Sequence, residues 1–232
     1  MPSDPVGEQT LEIMNQAEYY NQWLYSLIRP WISGKVAEAG VGTGNFLNFF
    51  KRDNISITAI DINPSYLHQI ARTHPKEDIF QFDLQSSILP ARLRSKFDTV
   101  VTLNVLEHVP KISQAIKNIY AMLKPGGKAI ILVPAFNFAY SSLDKNLGHV
   151  KRYSIGQING LTRREGFQEI KSFYINPAGL IGWFIIGKIL KKGSIPLMSV
   201  KFFDIAFRPI LWLERRVHFP IGLSLIIIVQ KP

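Results

Sequence analysis

The chain has 232 residues, a hydrophobic composition of 47%, no cysteine and a formal net charge of +10. This length and composition are sufficient for one domain with a proper core and exclude a disordered chain. The absence of cysteine excludes disulfides, thiolate metal sites and cysteine nucleophiles.

The positive charge is concentrated in the second part of the chain. Residues 1–144 hold 13 Lys and Arg and 13 Asp and Glu, whereas residues 145–232 hold 14 and 4. This asymmetry favours an anionic partner such as phospholipid headgroups or nucleic acid, with a merely solvated basic surface as the alternative. The N-terminal residues lack the basic start and apolar core of a signal peptide, which predicts a cytoplasmic protein.

Strand-like and helical runs alternate through the first 133 residues. Apolar residues at helical spacing predict one or two helices within residues 1–33, ahead of the first strand. The predicted strands cover 35–39, 56–61, 78–82, 97–103 and 127–133, and the predicted helices cover 44–52, 64–73 and 110–124. We expect Lys124-Pro-Gly-Gly to end the last of these helices. The alternation predicts a parallel sheet with helices on both faces.

The pattern changes after residue 134. Ser154 is expected to cap a helix that ends near Glu165, and 167–175 is predicted as a sixth strand. Residues 177–218 then mix aromatic and basic side chains, before a last predicted strand at 221–229. No apolar run reaches the roughly 18 to 20 residues that span a bilayer. Two alternatives remain for 177–218: a pair of helices in the membrane interface, or a lid or dimerisation element.

A glycine-rich turn follows the first strand. Residues 36–44 read Val-Ala-Glu-Ala-Gly-Val-Gly-Thr-Gly, and the second strand ends in Asp61. A short apolar strand, a glycine turn and an acid at the tip of the next strand indicate a nucleoside-binding site. The G-x-G-x-G spacing differs from the G-x-G-x-x-G of dinucleotide folds, which argues against NAD and a nicotinamide oxidoreductase.

Two further motifs complete a set: Asn104-Val-Leu-Glu-His-Val-Pro110 and Leu123-Lys-Pro-Gly-Gly127. With them the chain resembles the class I S-adenosylmethionine-dependent methyltransferases, most closely the group that includes ubiquinone-type and other small-molecule O-methyltransferases. The resemblance covers 35–133 and, more loosely, 149–175 and 220–230. It implies a Rossmann-like, doubly wound α/β fold, with a seven-stranded, mostly parallel sheet, an antiparallel last strand and a helical insert before that strand.

The resemblance also divides one methyltransferase domain, 1–232, into four parts. These are N-terminal helices at 1–33, a cofactor-binding core at 34–176, a basic aromatic insert or lid at 177–219 and the last strand at 220–232.

By the same resemblance, S-adenosylmethionine is the expected cofactor. Its implied contacts are Glu38, Gly40, Gly42, Gly44, Asp61, Ile62, Asp83, Asn104 and Val105. Asp61 would accept both ribose hydroxyls, because a carboxylate offers two oxygens to adjacent donors. The alternatives are a helix N-cap for Asp61 and a surface loop acid for Asp83. No metal ligand is assigned.

Four residues are catalytic candidates. His108 and His149 are the histidines placed to act as a general base. The run Gly148-His-Val-Lys-Arg-Tyr153 is similar to a Gly-His-x-x-Arg-Tyr arrangement in this methyltransferase group, which implies His149 as base, Arg152 as a clamp for an anion and Tyr153 as a hydrogen-bond partner. The alternatives are a buried structural role for His108 and a helix-start loop in which Tyr153 packs.

The expected reaction is methyl transfer to a hydroxyl oxygen of a hydrophobic small molecule or lipid-linked intermediate. Nucleic acid is disfavoured as a partner, because the chain has neither the Pro-Pro-aromatic motif of nucleobase amino methyltransferases after Asn104 nor a cysteine for pyrimidine carbon methylation. The basic 177–218 segment fits peripheral membrane contact better. The alternative function is a non-catalytic S-adenosylmethionine-binding subunit that docks a partner or a membrane through that insert. The sequence assigns no oligomeric state.

Overall fold

A single sheet organises the protein in our computed structural model, which describes residues 5–194, 196–217 and 219–232. The strand order over these residues is β3-β2-β1-β4-β5-β7-β6. The strands are β1 Val36–Ala39, β2 Ile57–Asp61, β3 Asp78–Gln81, β4 Phe97–Leu103, β5 Leu123–Pro134, β6 Gln168–Ile175 and β7 Ser224–Gln230.

Helices connect the strands and precede them. In the described chain they are α1 Pro5–Asn15, α2 Glu18–Ile28, α3 Leu47–Arg52, α4 Pro64–Thr73, α5 Ile112–Met122, α6 Ser142–Asn146, α7 Ile155–Arg164, α8 Pro177–Trp183, α9 Leu197–Ala206 and α10 Arg208–Glu214. A π-helical turn, Phe184–Ile189, continues α8. Short 3₁₀ turns lie at Arg29–Trp31, Ala91–Leu93, Leu106–His108 and Asn137–Ala139.

The pairing confirms the predicted fold class. Strands β1 to β5 pair in parallel, and β7 runs antiparallel between β5 and β6. The chain passes from β1 to β2 on one side of the β1–β4 pair and from β4 to β5 on the other side, so the direction in which strands are added reverses between β1 and β4. Ligands of open α/β sheets bind at such a switch point, beyond the carboxyl ends of the strands.

The central strands are buried on both faces. In β5, Ile131 and Val133 pack on one face with α5 and α7, whereas Ile130 and Leu132 pack on the other with α2, α3 and α4. Alternate residues of a strand point to opposite faces, so these continuous apolar runs fill two helix–sheet layers.

Three predicted boundaries were wrong. The Lys124–Gly127 run lies inside β5, because α5 ends at Met122 and Leu123 already pairs with Phe97. The positive φ of Gly126, 76°, accommodates an irregular start of the strand before regular pairing resumes at Lys128. Helix α3 begins at Leu47, since the glycine turn occupies the preceding residues, and β7 begins at Ser224 rather than at 221.

The insert packs against the N-terminal helices. The Asp204 carboxylate in α9 accepts hydrogen bonds from the backbone N–H groups of Tyr19 (3.2 Å) and Tyr20 (2.7 Å), which lie in the first turn of α2. Glu214 in α10 accepts the backbone N–H of Asn176 at 2.7 Å. These carboxylates tie the insert to the start of α2 and to the end of β6. Within the described residues, no helix is both long enough and apolar enough to cross a membrane.

Candidate active site

A large cavity lies at the switch point of the sheet. Its volume is about 1190 Å³, more than the 300 to 1,000 Å³ typical of pockets for one small ligand. The β1 turn and the tips of β2 and β4 form one part of its wall, and α1, α8 and α9 contribute another. The volume therefore suits a cofactor and an acceptor together.

The glycine turn lines one side of the cavity. Gly40 has φ +83°, and a Cβ atom added there would lie 2.2 Å from Cγ2 of Val105. Only glycine permits this close approach of the turn to the β4 end of the site. Gly42 (φ +53°) also lines the cavity, and its N–H donates to Oδ2 of Asp61 at 2.9 Å.

Gly44, which was predicted to contact the cofactor, does not line the cavity. A Cβ atom at Gly44 would lie 2.8 Å from Cδ1 of Leu47 and 3.6 Å from Ile70. Its φ of +82° turns the chain into α3, and its role in the described structure is packing between α3 and α4.

Two buried acids face the cavity side by side. Asp61 accepts the N–H groups of Gly42 and Asn63, and burial raises its pKa although these bonds lower it. Glu38 is 3% exposed, and its Oε2 atom has no hydrogen-bond partner in the protein. Burial, and secondarily the Asp61 charge, raise the pKa of Glu38 to about 8. A buried carboxyl with a free oxygen suits a cationic ligand group.

The helix N-cap proposed as the alternative for Asp61 belongs to another residue. Asn63 caps α4, because its Oδ1 accepts the N–H of Ser65 at 2.9 Å. Asp61 therefore retains lone pairs for a ligand on both oxygens.

The remaining predicted cofactor residues also line the cavity: Ile62, Asp83, Asn104 and Val105. Asp83 accepts the N–H of Gln85 at 2.8 Å and shapes the loop after β3. Asn104 adopts φ +54° directly after β4, a conformation that Asn tolerates better than most residues.

A charged cluster lies across the cavity from the glycine turn. His149 Nδ1 lies 2.8 Å from Oδ1 of Asp144, a residue that our sequence predictions missed. The His149 carbonyl accepts the Tyr140 hydroxyl at 2.8 Å, and the N–H of Val150 donates to the Glu107 carbonyl at 2.7 Å. These bonds hold the His149 ring at the cavity wall.

Asp144 is the centre of this cluster. Its side chain is 0% exposed and accepts five hydrogen bonds, from His149, Arg152, Trp183 and both the backbone and the hydroxyl of Ser141. Burial alone would raise the pKa of Asp144, but the bonds from His149 and Arg152, together with the Arg152 charge, outweigh it and lower the pKa. Asp144 therefore stays ionised and holds the imidazole orientation.

Arg152 and Tyr153, both predicted to contact the acceptor, make internal contacts in the structure. Arg152 is 1% exposed: its Nε donates to Asp144 at 2.8 Å, its Nη1 donates to the Ala135 carbonyl at 3.2 Å, and its guanidinium lies 4.7 Å from the Trp183 ring. The charge is thus neutralised inside the protein instead of clamping an acceptor. Tyr153 packs in the core, with its hydroxyl donating to the Leu106 carbonyl at 3.3 Å, and it does not line the cavity.

His108 and Glu107 complete this end of the site. The exposed His108 ring lies edge-on to His149 with centroids 4.8 Å apart, whereas Glu107 is 0% exposed and both carboxyl oxygens lack hydrogen-bond partners. Burial is the main cause that raises the pKa of Glu107 to about 8. Ligand atoms of Glu107, His108 and His149 lie within 4.8 Å of one another, so this group could hold a metal ion, although the sequence patterns assigned no metal ligand.

Part of the chain matches a known protein family. A family model described as a methyltransferase domain matches residues 37–129, which span β1 to the middle of β5. This match bears out the resemblance to the class I S-adenosylmethionine-dependent methyltransferases over residues 37–129. The cofactor of this family is the one that the glycine turn and Asp61 predicted.

Relatives with assigned names agree with this family. The chain is 36% identical over 100 residues to a ubiquinone biosynthesis O-methyltransferase from Xanthomonas euvesicatoria pv. vesicatoria (strain 85-10), a match that covers 42% of this chain and 41% of that protein. It is 27% identical over 154 residues to the protein of the same name from Escherichia coli O127:H6, covering 64% and 59%. The chain thus spans about half the length of these relatives.

A solved methyltransferase structure shows the same fold. An S-adenosylmethionine-dependent methyltransferase from Mesorhizobium loti superposes with a TM-score of 0.63 at 15% identity, over 90% of this chain and 97% of that chain.

The residues of this site fit S-adenosylmethionine. The unpaired Oε2 atom of Glu38, at the cavity wall, could accept a hydrogen bond from the amino group of the methionine moiety. The Asp61 carboxylate could accept hydrogen bonds from a pair of ribose hydroxyls. The turn needs glycine at position 40, because a Cβ atom there would clash with Val105. When bound, the cofactor supplies an electrophilic methyl group on a sulfonium.

The raised pKa of Glu38 predicts a pH-dependent stability. A carboxyl with an ordinary pKa of 4.5 and a folded-state pKa of about 8 stabilises the fold fully below pH 4.5, and that contribution is lost as the pH rises to about 8. We expect the melting temperature of the ligand-free protein to fall over this window, and to fall less steeply in a Glu38→Gln variant. Differential scanning calorimetry at a series of pH values measures the slope.

Glu107 contributes a second fall over the same window, because its pKa is also raised to about 8, so the Glu38→Gln slope should be shallower rather than zero. The matched control is Glu12→Gln, which changes an exposed carboxyl in α1 and should keep the wild-type slope. A Glu38→Gln slope equal to that of wild type would contradict the assignment.

Proposed function

We propose that this protein transfers the methyl group of S-adenosylmethionine to a hydroxyl oxygen of a hydrophobic small molecule or lipid-linked intermediate. The observation that carries the proposal is the His149–Asp144 pair, 2.8 Å apart, in the wall of the cavity that also contains Glu38 and Asp61.

The pair supplies the proton chemistry that an oxygen acceptor needs. Asp144 accepts from Nδ1 of His149, which leaves Nε2 to take the hydroxyl proton. S-adenosylmethionine, when bound, would supply its methyl group to the acceptor oxygen and leave as S-adenosylhomocysteine, while the hydroxyl proton would remain on His149. The charge of ionised Asp144 stabilises the imidazolium that results.

The cavity wall supports a hydrophobic acceptor. Its insert side is lined by apolar residues from α8, the π-helical turn and α9, and the residues concerned are Ile181, Ile185, Ile186, Met198, Phe202 and Phe203. An apolar wall of this kind favours the tail of an acceptor, while the His149 side favours its hydroxyl. The name of these relatives, ubiquinone biosynthesis O-methyltransferase, is consistent with methylation of an oxygen.

Methyl transfer from labelled S-adenosylmethionine to catechols with alkyl tails of increasing length tests the proposal. We expect turnover that increases with tail length, because longer tails cover more of the apolar wall. A His149→Ala variant should lose about 100-fold in kcat, the usual contribution of a general base, and should bind S-adenosylhomocysteine as wild type does.

The matched control is His68→Ala, which removes an exposed imidazole from α4 and should retain wild-type turnover. If His149→Ala retains wild-type kcat at every pH, another group acts as the base. If no catechol is methylated while S-adenosylhomocysteine still binds, the result would oppose an oxygen acceptor of this class and favour the non-catalytic binding subunit.

A further inference from the structure

The insert carries most of the exposed apolar surface of the protein. Among the described residues, exposed large apolar side chains outside it are few: Ile88, Phe138, Val150, Ile170 and Ile221. The other twelve lie between 181 and 217: Ile181, Phe184, Ile185, Ile189, Leu190, Met198, Phe202, Ile205, Ile210, Trp212, Leu213 and Val217. A concentration of this kind marks an interaction site.

The exposed side chains follow helical spacing, so each helix presents a stripe. On α8 and its π-helical continuation the stripe is Ile181, Ile185 and Ile189, with exposures of 64%, 43% and 63%. In α9 the stripe is Met198, Phe202 and Ile205, with exposures of 74%, 67% and 66%. The opposite side of α9 is buried through Val200 and Asp204, so this helix is amphipathic in place.

The exposed charges of the insert are all positive within the described part of 177–217. Its seven basic residues are exposed: Lys188, Lys191, Lys192, Lys201, Arg208, Arg215 and Arg216. Its two acids are buried, Asp204 at 6% and Glu214 at 2%, where both accept backbone N–H groups. An apolar surface with basic residues and no exposed acid complements an anionic lipid surface.

The same surface borders the cavity. Ile181, Ile185, Met198 and Phe202 are exposed and also line the cavity. This part of the cavity wall therefore lies within the apolar surface. A bilayer seated there would place its hydrocarbon beside the cavity, so that an apolar acceptor enters without crossing water.

We propose that residues 177–217 dock this protein on the surface of an anionic phospholipid bilayer, with α8 and α9 lying in the plane of the interface. The helices do not cross the bilayer, in keeping with their length and charge. The proposal concerns binding to a membrane and stands whether or not catechols are methylated.

Co-flotation with unilamellar vesicles tests the proposal. We expect the full chain to float with vesicles of phosphatidylcholine and phosphatidylglycerol in equal parts at low salt. Binding should fall at least about tenfold on vesicles of phosphatidylcholine alone, and also at high salt, because the basic side chains supply part of the attraction.

Variants separate the insert from the rest of the surface. A double Ile189→Glu and Ile205→Glu variant changes two exposed insert residues that do not line the cavity, and should bind anionic vesicles at least about tenfold more weakly. The matched control, Ile88→Glu with Ile170→Glu, introduces the same charge at exposed positions outside the insert and should bind as wild type does. Unchanged affinity for S-adenosylhomocysteine in both variants would show that they fold.

Two outcomes would overturn the proposal. One is absence of binding to anionic vesicles at low salt. The other is a stable dimer in sedimentation velocity that the insert variant converts to a monomer while the control variant does not, because a second copy of the chain would then cover the apolar surface.

Discussion

An Asp61→Ala variant is expected to bind S-adenosylhomocysteine about 100-fold more weakly than wild type. In the proposed assignment the carboxylate accepts two ribose hydroxyls, and hydrogen bonds to a charged group contribute about 1.5 to 3 kcal/mol each, so the loss of two bonds at the lower value, about 3 kcal/mol, corresponds to about 100-fold. The substitution also removes the acceptor of the Gly42 N–H, which helps to hold the glycine turn. Isothermal titration calorimetry measures the affinity directly.

The control for this experiment is Asp78→Ala. Asp78 is an exposed acid at the start of β3, at the end of the sheet remote from the cavity, and its removal should leave the affinity within about twofold of wild type. An intermediate Asp61→Asn variant keeps one acceptor oxygen and should lie between wild type and alanine. Wild-type affinity in Asp61→Ala would show that the ribose assignment is wrong.

An Asp144→Ala variant is expected to be less stable than wild type by about 3 to 5 kcal/mol, because it leaves the buried Arg152 guanidinium without a counter-charge. It also removes the acceptor of His149, Trp183 and Ser141. Chemical denaturation followed by circular dichroism gives the free energy of unfolding.

The comparison is an ion pair on the surface. Lys124 pairs with Asp98 at 2.8 Å, but the two side chains are 43% and 35% exposed, so a Lys124→Ala variant should cost less than about 1 kcal/mol. A loss in Asp144→Ala no greater than the loss in Lys124→Ala would contradict the proposed role of Asp144 as the centre of the charged cluster.

Asp144 also connects the site to the insert. The indole N–H of Trp183, in the last turn of α8, donates to Oδ2 of Asp144 at 3.1 Å, while Oδ1 accepts from His149. Asp144, which orients the proposed base His149, therefore also holds the C-terminal end of α8, a helix that lines the cavity. This contact links the catalytic hypothesis to the docking surface.

The sequence by itself determined the sheet and the cofactor end of the site. The glycine turn and the acid at the end of β2 are local motifs. They follow two strands that are neighbours in the sheet, β1 and β2, and this pairing brings Gly40, Gly42 and Asp61 together. Strand-like runs in the sequence likewise placed all seven strands, and the branched runs of β2 and β7 are buried strands in the structure.

Only the tertiary structure decided what the charged residues of the second half do. Asp144 and Arg152 are eight residues apart in the sequence. Arg152 is buried against the Ala135 carbonyl after β5, the Leu223 carbonyl before β7 and the Trp183 ring, and these groups are distant from one another in the sequence. The predicted clamp became an internal ion pair, since burying a guanidinium requires a counter-charge. Likewise, the acids of the insert cap α2 and hold Asn176, so that its exposed charge is entirely positive over the described residues. Charge can be counted from the sequence, but which charges reach solvent depends on long-range packing.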